Sequence, residues 1–169
     1  MNLNLGCGSI QPTGWTNIDF DAEFKTEYKS ITEFSDNTFN KIVAHCVVQI
    51  NEIHDINSLL SEALRVLKVD GVFRISLPDI AAGFDAYKNN NISFFPNGEE
   101  DIDDRFCAWL TWYSTSKTLL TQKALINRLI SVGFKDAKIT KFKQTEFSDE
   151  QIFELDTREN ECYFVEAIK

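Results

Sequence analysis

Two short apolar runs near the start of the chain are separated by too few residues for a helix. The first, Leu3 to Leu5, ends in the turn Gly6-Cys7-Gly8, and the second, Trp15 to Ile18, ends in Asp19; only Ser9 to Gly14 lies between. In open α/β sheets a glycine turn closing one strand and a carboxylate closing the next mark a nucleoside site, with glycines for the charged end and the acid for the ribose. Parallel strands ordinarily need a crossover of about a dozen residues or more. Six extended residues nevertheless reach roughly 20 Å at ~3.3–3.6 Å each, while a four-residue strand spans only ~13 Å. The chain can therefore return beside its first strand through a loop. Taken alone, the same Gly-x-Gly also reads as a tight turn in which glycine permits positive φ.

The remainder alternates strand and helix. Asp36-Asn37 marks a turn, and Lys41 to Val48 is a β-branched, apolar strand. Asp55 is placed to cap a helix whose stripe, Ile56, Leu59, Leu60, Ala63, Leu64 and Leu67, recurs at three and four residues. Arg65 and Lys68 suit its negative pole, and Gly71 offers a left-handed stop. Val72 to Leu77 is a strand ended by Pro78. A short helix follows Asp79 as far as Tyr87, and Asn89 to Asp104 reads as a loop. Phe106, Trp109, Leu110 and Tyr113 recur at helical spacing. Thr121 begins a helix whose stripe, Ala124, Leu125, Leu129 and Val132, stops at Gly133. Ala137 to Phe142 and Cys162 to Ile168 are strands, with a helical turn or two in Ser148 to Leu155. This alternation predicts one layered α/β domain over residues 1–169.

Composition excludes several function classes. The net charge is −9 and lysines alternate with acids, so no basic stripe suits a nucleic-acid partner. No run approaches the ~18 apolar residues of a membrane span. The N-terminus enters a strand with no basic and apolar leader, which predicts a cytoplasmic protein. Cys7, Cys46, Cys107 and Cys162 lie far apart without zinc-type spacing, so reduced thiols and no metal are expected. The acidic run Glu99-Glu100-Asp101-Asp103-Asp104 reads as a solvated loop.

Taken in order, the glycine turn, Asp19, and the segments FSDNTFNKIVAH, LLSEALRVLKVDGVFRISLPD and LINRLISVGF resemble the class I S-adenosylmethionine-dependent methyltransferases. The nearest likeness is to a small, type 11-like group in which L-N-L-G-C-G is followed closely by G-W-x-N-I-D. The resemblance is dense over residues 2–80 and thin thereafter. It implies a Rossmann-like three-layer sandwich, mostly parallel with a C-terminal antiparallel strand and the first crossover helix shortened or absent. It also implies S-adenosylmethionine as cofactor, a small-molecule or glycan-precursor acceptor, and a variable lid or insertion at about residues 83–118. Asn4, Leu5, Gly6, Cys7 and Gly8 would surround the methionine end, the amides of Leu5 to Ser9 forming a nest for its carboxylate. Asp19 would accept both ribose hydroxyls. Phe20 would cover adenine and Ile31 would contact it. Ser30 stands where many relatives carry an acid for the adenine amino group. Ala44, His45 and Cys46 would floor the sulfonium end, since ligands lie outside the carboxyl ends of such strands.

Methyl transfer from a sulfonium is an in-line displacement in which positioning supplies much of the acceleration. A general base helps where the acceptor is a hydroxyl or another poor nucleophile. The Glu-His pair that relatives often carry after the fourth strand is Gln49-Ile50 here, which takes no proton. His45 and Asp79 are the candidate bases, each with a structural alternative as a hydrogen-bonded strand-end residue. Phe94, Phe95, Phe106, Trp109, Trp112 and Tyr113 offer an acceptor lid, a homodimer surface through residues 94–113, or plain helix packing. Two further classes compete. One is a catalytically degenerate S-adenosylmethionine-binding or protein-interaction domain. The other, a nicotinamide-dependent oxidoreductase, lacks its G-x-G-x-x-G and following helix.

Overall fold

In the computed structural model the described residues are 1–21, 23–24, 26–27, 30–98, 101–145 and 155–169. Strands β1 (Asn2–Leu5), β2 (Thr16–Ile18), β3 (Phe39–His45), β4 (Leu67–Pro78), β5 (Asp136–Thr140) and β6 (Cys162–Ile168) form one sheet in the order β2-β1-β3-β4-β6-β5. The first four run parallel, and β6 is antiparallel to both β4 and β5. This is the Rossmann-like α/β sheet with an antiparallel C-terminal strand. Its helices are α1 (Ile56–Val66), α2 (Ile80–Lys88), α3 (Ile102–Leu110) and α4 (Gln122–Val132).

The β1–β2 connection contains no helix. The two strands pair directly, Leu5 opposite Ile18. Asn4 replaces the missing element: its amide donates to the Ile10 carbonyl at 2.8 Å and to Asn17 Oδ1 at 3.0 Å, pinning the loop across the strand ends. Strand alternation then divides the sheet into two faces. Leu5, Ile18, Ile42, Ala44, Ile75 and Val165 enter one core beneath α1 and α4. The opposite face carries Arg74, Ser76, Phe164 and Glu166. Its covering layer is the aromatic cluster of α2 and α3, packed on Cys162 and Phe164, together with the β5–β6 connection.

Several boundaries differ from expectation for local reasons. Asp55 precedes α1 but its carboxylate makes no cap bond. Leu67 already belongs to β4, and Lys169 Nζ reaches the Arg65 and Leu67 carbonyls at that junction. The left-handed residue there is Asp70 (φ 60), not Gly71, which instead lets the backbone approach the Lys68 carbonyl. β3 stops at His45 because Cys46 is left-handed (φ 53), and Val48–Ile50 forms a 3-10 turn. The expected acidic loop supplies the start of α3: Asp101 accepts from the Asp103 amide, while Asp103 and Asp104 face the positive helix pole. Glu99, Glu100 and Ser148 to Glu154 lie outside the described residues. Thr121 and Gly133 cap α4 as its sequence predicts. Among the described residues no helix is long and apolar enough to cross a membrane.

Candidate functional site

Parallel pairing of β1 with β2 sets the acid beside the glycine turn. Gly6 (φ 71) and Gly8 (φ 51) are both left-handed, a conformation that glycine adopts without a Cβ penalty. The Gly6 and Cys7 amides converge on the Ile18 carbonyl at 2.9 and 3.0 Å. The Gly8 amide donates to Asp19 Oδ2 at 2.8 Å, and Asp21 donates to Oδ1 at 2.9 Å. These three turn amides thus face β2 and its acid, whereas the expected nest turns them toward a ligand. Asp19 is 8% exposed, and each of its oxygens keeps a lone pair beyond its one backbone bond. Phe20, the next residue, is 44% exposed and stands outside the core.

The residues assigned to the adenine end separate. Ser30 begins a 3-10 turn, Ile31–Glu33, with a reciprocal capping box: its hydroxyl accepts from the Thr32 amide, and its own amide donates to Glu33. Ile31 puts its side chain into the main core, as does Ala44.

At the carboxyl end of β3 the geometry is denser. His45 lies opposite Ser76 in register, so Nδ1 hydrogen-bonds the Ser76 hydroxyl while Nε2 meets the Thr157 hydroxyl. Both ring nitrogens are engaged, one by β4 and one by the segment leading into β6. Cys46 donates its amide to the Ser76 carbonyl at 2.9 Å, and the buried Gln49 closes the left-handed turn by donating to the Cys46 carbonyl at 2.8 Å. The Cys46 sulfur lies 3.4 Å from that of Cys162 and 3.8 Å from His45 Nε2. Burial raises the Cys46 thiol, but the Cys162 hydrogen bond, the His45 contact and the Arg158 charge together lower it to about 6. Cys162, as donor in that bond and buried as well, moves the opposite way.

Asp79 follows β4 and caps α2, Oδ1 accepting from the Ala81 and Ala82 amides. Its Oδ2 faces Gln122 Nε2 at 3.4 Å. The carboxylate lines a cavity of about 350 Å³, shared with Gln122, Thr140, Lys141, Cys162 and Tyr163. A second space of about 300 Å³ adjoins the same Asp79, Gln122 and Tyr163. Phe95, Phe106, Trp109 and Trp112 pack inward over Phe164 and Cys162.

Sequence reasoning missed three participants: Thr157, the Cys46–Cys162 pair, and Arg74. Arg74 is 1% exposed and pairs with Asp156 at 2.8 Å and Glu166 at 2.7 Å. Alternation in V-F-R-I-S-L was the available signal for Arg74, because it sets Arg74 and Ser76 on the face opposite Phe73 and Ile75. The other contacts join residues more than a hundred positions apart.

No protein-family model matches the chain, and no curated protein matches it. Solved structures are similar to it. A SAM-dependent methyltransferase from Archaeoglobus fulgidus superposes with a TM-score of 0.62 at 16% identity, over 99% of this chain and 85% of that one. A protein from Thermotoga maritima, described as a SAM-dependent methyltransferase and possible histamine N-methyltransferase, gives 0.58 at 14%, over 99% and 81%. An S-adenosylmethionine-dependent methyltransferase from Mesorhizobium loti gives 0.57 at 15%, over 99% and 90%. At such identities the likeness is one of fold, and that fold is the class I methyltransferase α/β architecture.

Proposed function

We propose that this chain is an S-adenosylmethionine-dependent methyltransferase of the small type 11-like group, acting on a small molecule or glycan precursor. One observation carries the reading: in a sheet of methyltransferase order, a helix-free β1–β2 step sets the Asp19 carboxylate against the left-handed Gly6–Gly8 turn, 2.8 Å from the Gly8 amide. The remaining lone pairs of Asp19 suit ribose hydroxyls, and the exposed Phe20 ring suits an adenine face. At Gly8 the nearest neighbour to a would-be Cβ is a Phe24 ring atom at 3.9 Å, so the methionine end can approach the backbone there. Bound in this way, the cofactor supplies an electrophilic methyl on its sulfonium. His45 and Cys46 at the end of β3 border that methyl in this reading. Asp79 at the end of β4 faces the acceptor cavity, whose volume lies within the usual range for small ligands. Asp79 Oδ2, held only weakly by Gln122, orients an acceptor hydroxyl or amine and takes its proton.

A second reading, a cofactor-binding domain without chemistry, is favoured by one observation. Both nitrogens of His45 are occupied by hydroxyls, which leaves the imidazole a positioned strand-end group rather than an open base. Turnover separates the readings, and calorimetric titration tests the cofactor site that both assume. S-adenosylhomocysteine is expected to bind and NAD is not. Asp19→Ala should weaken binding by about 1–3 kcal/mol, the cost of a lost charged hydrogen bond. Unchanged affinity in that variant removes the ribose assignment. Binding without turnover over a panel of hydroxyl and amine acceptors selects the second reading.

A further inference from the structure

Cys46 and Cys162 stand 116 residues apart in sequence, yet their sulfurs lie 3.4 Å from each other. The first follows β3 and the second opens β6, with β4 between them; Cys162 pairs with Pro78 across that strand. The left-handed backbone of Cys46, tied down by Gln49, aims its sulfur across β4. Around the pair stand His45 from β3 and Arg158 and Glu161 from the segment entering β6. The Arg158 guanidinium stacks on Trp112 at 5.0 Å and meets Glu161 at 3.0 Å, so its positive charge is held near the sulfurs. Cys46 keeps partial exposure, and Cys162 lines the cavity of about 350 Å³.

We propose that Cys46 and Cys162 are an oxidisable thiol pair that reacts with hydrogen peroxide, Cys46 as the attacking sulfur and Cys162 as the resolving one. The Cys46 thiolate attacks one peroxide oxygen; the S–O bond forms, the O–O bond breaks, and the departing oxygen leaves as water after gaining a proton. Cys162 then attacks the sulfenic sulfur; the S–S bond forms, the S–O bond breaks, and a second water carries away the Cys162 proton. Two thiols lose two electrons and one hydrogen peroxide becomes two waters. Closure from 3.4 Å to a bonded separation of about 2.05 Å requires a movement of only about 1.3 Å along the sulfur–sulfur line. The division of roles follows the direction of titration, since the hydrogen bond leaves Cys46 the readier thiolate and Cys162 the proton holder. The resulting link pins the end of β3 to the start of β6 at the rim of the cavity.

The test uses the full chain and reads sulfur chemistry, so it is independent of methyl transfer. Reduced protein is treated with one equivalent of hydrogen peroxide, then denatured and its thiols counted. Loss of two of the four cysteine thiols, with a Cys46–Cys162 peptide link by mass mapping, is the expected result. In Cys162→Ser, a dimedone adduct should accumulate on Cys46. Iodoacetamide should alkylate Cys46 with a half-maximal rate near pH 6, well below the ordinary thiol range of about 8.5. Retention of all four thiols, a link through Cys7 or Cys107, or alkylation of Cys46 only in the ordinary thiol range of about 8.5 overturns the proposal.

Discussion

A methyl group added at Gly6 would stand 2.3 Å from Cγ2 of Val47, on a backbone already at φ 71. The turn beside Asp19 therefore depends on a missing Cβ twice over, for its conformation and for its packing against the residue after Cys46. Gly6→Ala should cost about 1–2 kcal/mol in left-handed strain and about 1–3 kcal/mol more in overpacking. Val47→Ala in the same chain should recover only part of the packing cost, because the retained Cβ of residue 47 would still stand 2.6 Å away, yet the summed urea-derived losses of the two single variants should exceed that of the double; simple additivity would show that Val47 is not the obstacle. Cys46 makes a second residue-scale prediction. Its thiol loses a proton at about 6 in the folded chain, while Cys162 holds its own more tightly than usual. From there to the ordinary thiol range near pH 8.5 the unfolded chain binds one more proton than the folded pair, so stability rises with pH. Above that range the unfolded chain loses both protons and the trend reverses. Thermal melts should show the lower-range rise in the parent and its loss in Cys46→Ser; parallel curves would deny the ionised Cys46. At this scale the nearness of Asp19 to the glycine turn was legible, because spacing between adjacent short strands is local. The sequence concealed the partners of His45, because Ser76 and Thr157 arrive only when distant strands pair.

Elements were legible where both ends carry local chemistry. Helix α4 begins at a threonine whose hydroxyl accepts from the Ala124 amide and ends at a glycine with φ 115. Helix α3 was hidden in part, because aspartates that read as a solvated loop are also what stabilises a helix N-terminus; Asp101 caps and Asp103 accepts the Tyr87 hydroxyl. The docking of α2 on α3 was not legible at all, since it rests on a glycine inside a helix. A Cβ at Gly83 would lie 2.3 Å from Cζ3 of Trp109, whose ring is 1% exposed. Alanine is the better helix former by about 1 kcal/mol, yet displacing a buried indole costs about 1–3 kcal/mol. Gly83→Ala should thus leave the protein less stable and shift tryptophan emission to the red as Trp109 meets water. A variant more stable than its parent, with unchanged emission, would mean that α2 can slide away from α3 freely.

Across the whole molecule the sheet has unlike faces. One face buries aliphatic side chains under α1 and α4, as the periodicity of those helices predicts. On the other, a guanidinium takes a central place. Arg74 on β4 joins Asp156 and Glu166, donates to the carbonyls of Lys141 and Gln144, and lies 5.0 Å over the Phe164 ring. It therefore ties β4, β6 and the β5–β6 connection together, and that connection also supplies Thr157 to His45. A layered α/β sheet was legible from the alternation of elements, but this polar layer was not, because its members meet only across the finished sheet. Arg74→Leu would strand two carboxylates that are 2% and 1% exposed, a loss of about 3–5 kcal/mol for a broken buried pair. At about 2–4 °C per kcal/mol for a domain of this size, the melting midpoint should fall by roughly 6–20 °C. Replacing Arg74, Asp156 and Glu166 together by apolar residues should restore most of that stability, since no unpaired charge is then buried. A single variant that melts with its parent would show that water, and not this cluster, meets the second face of the sheet.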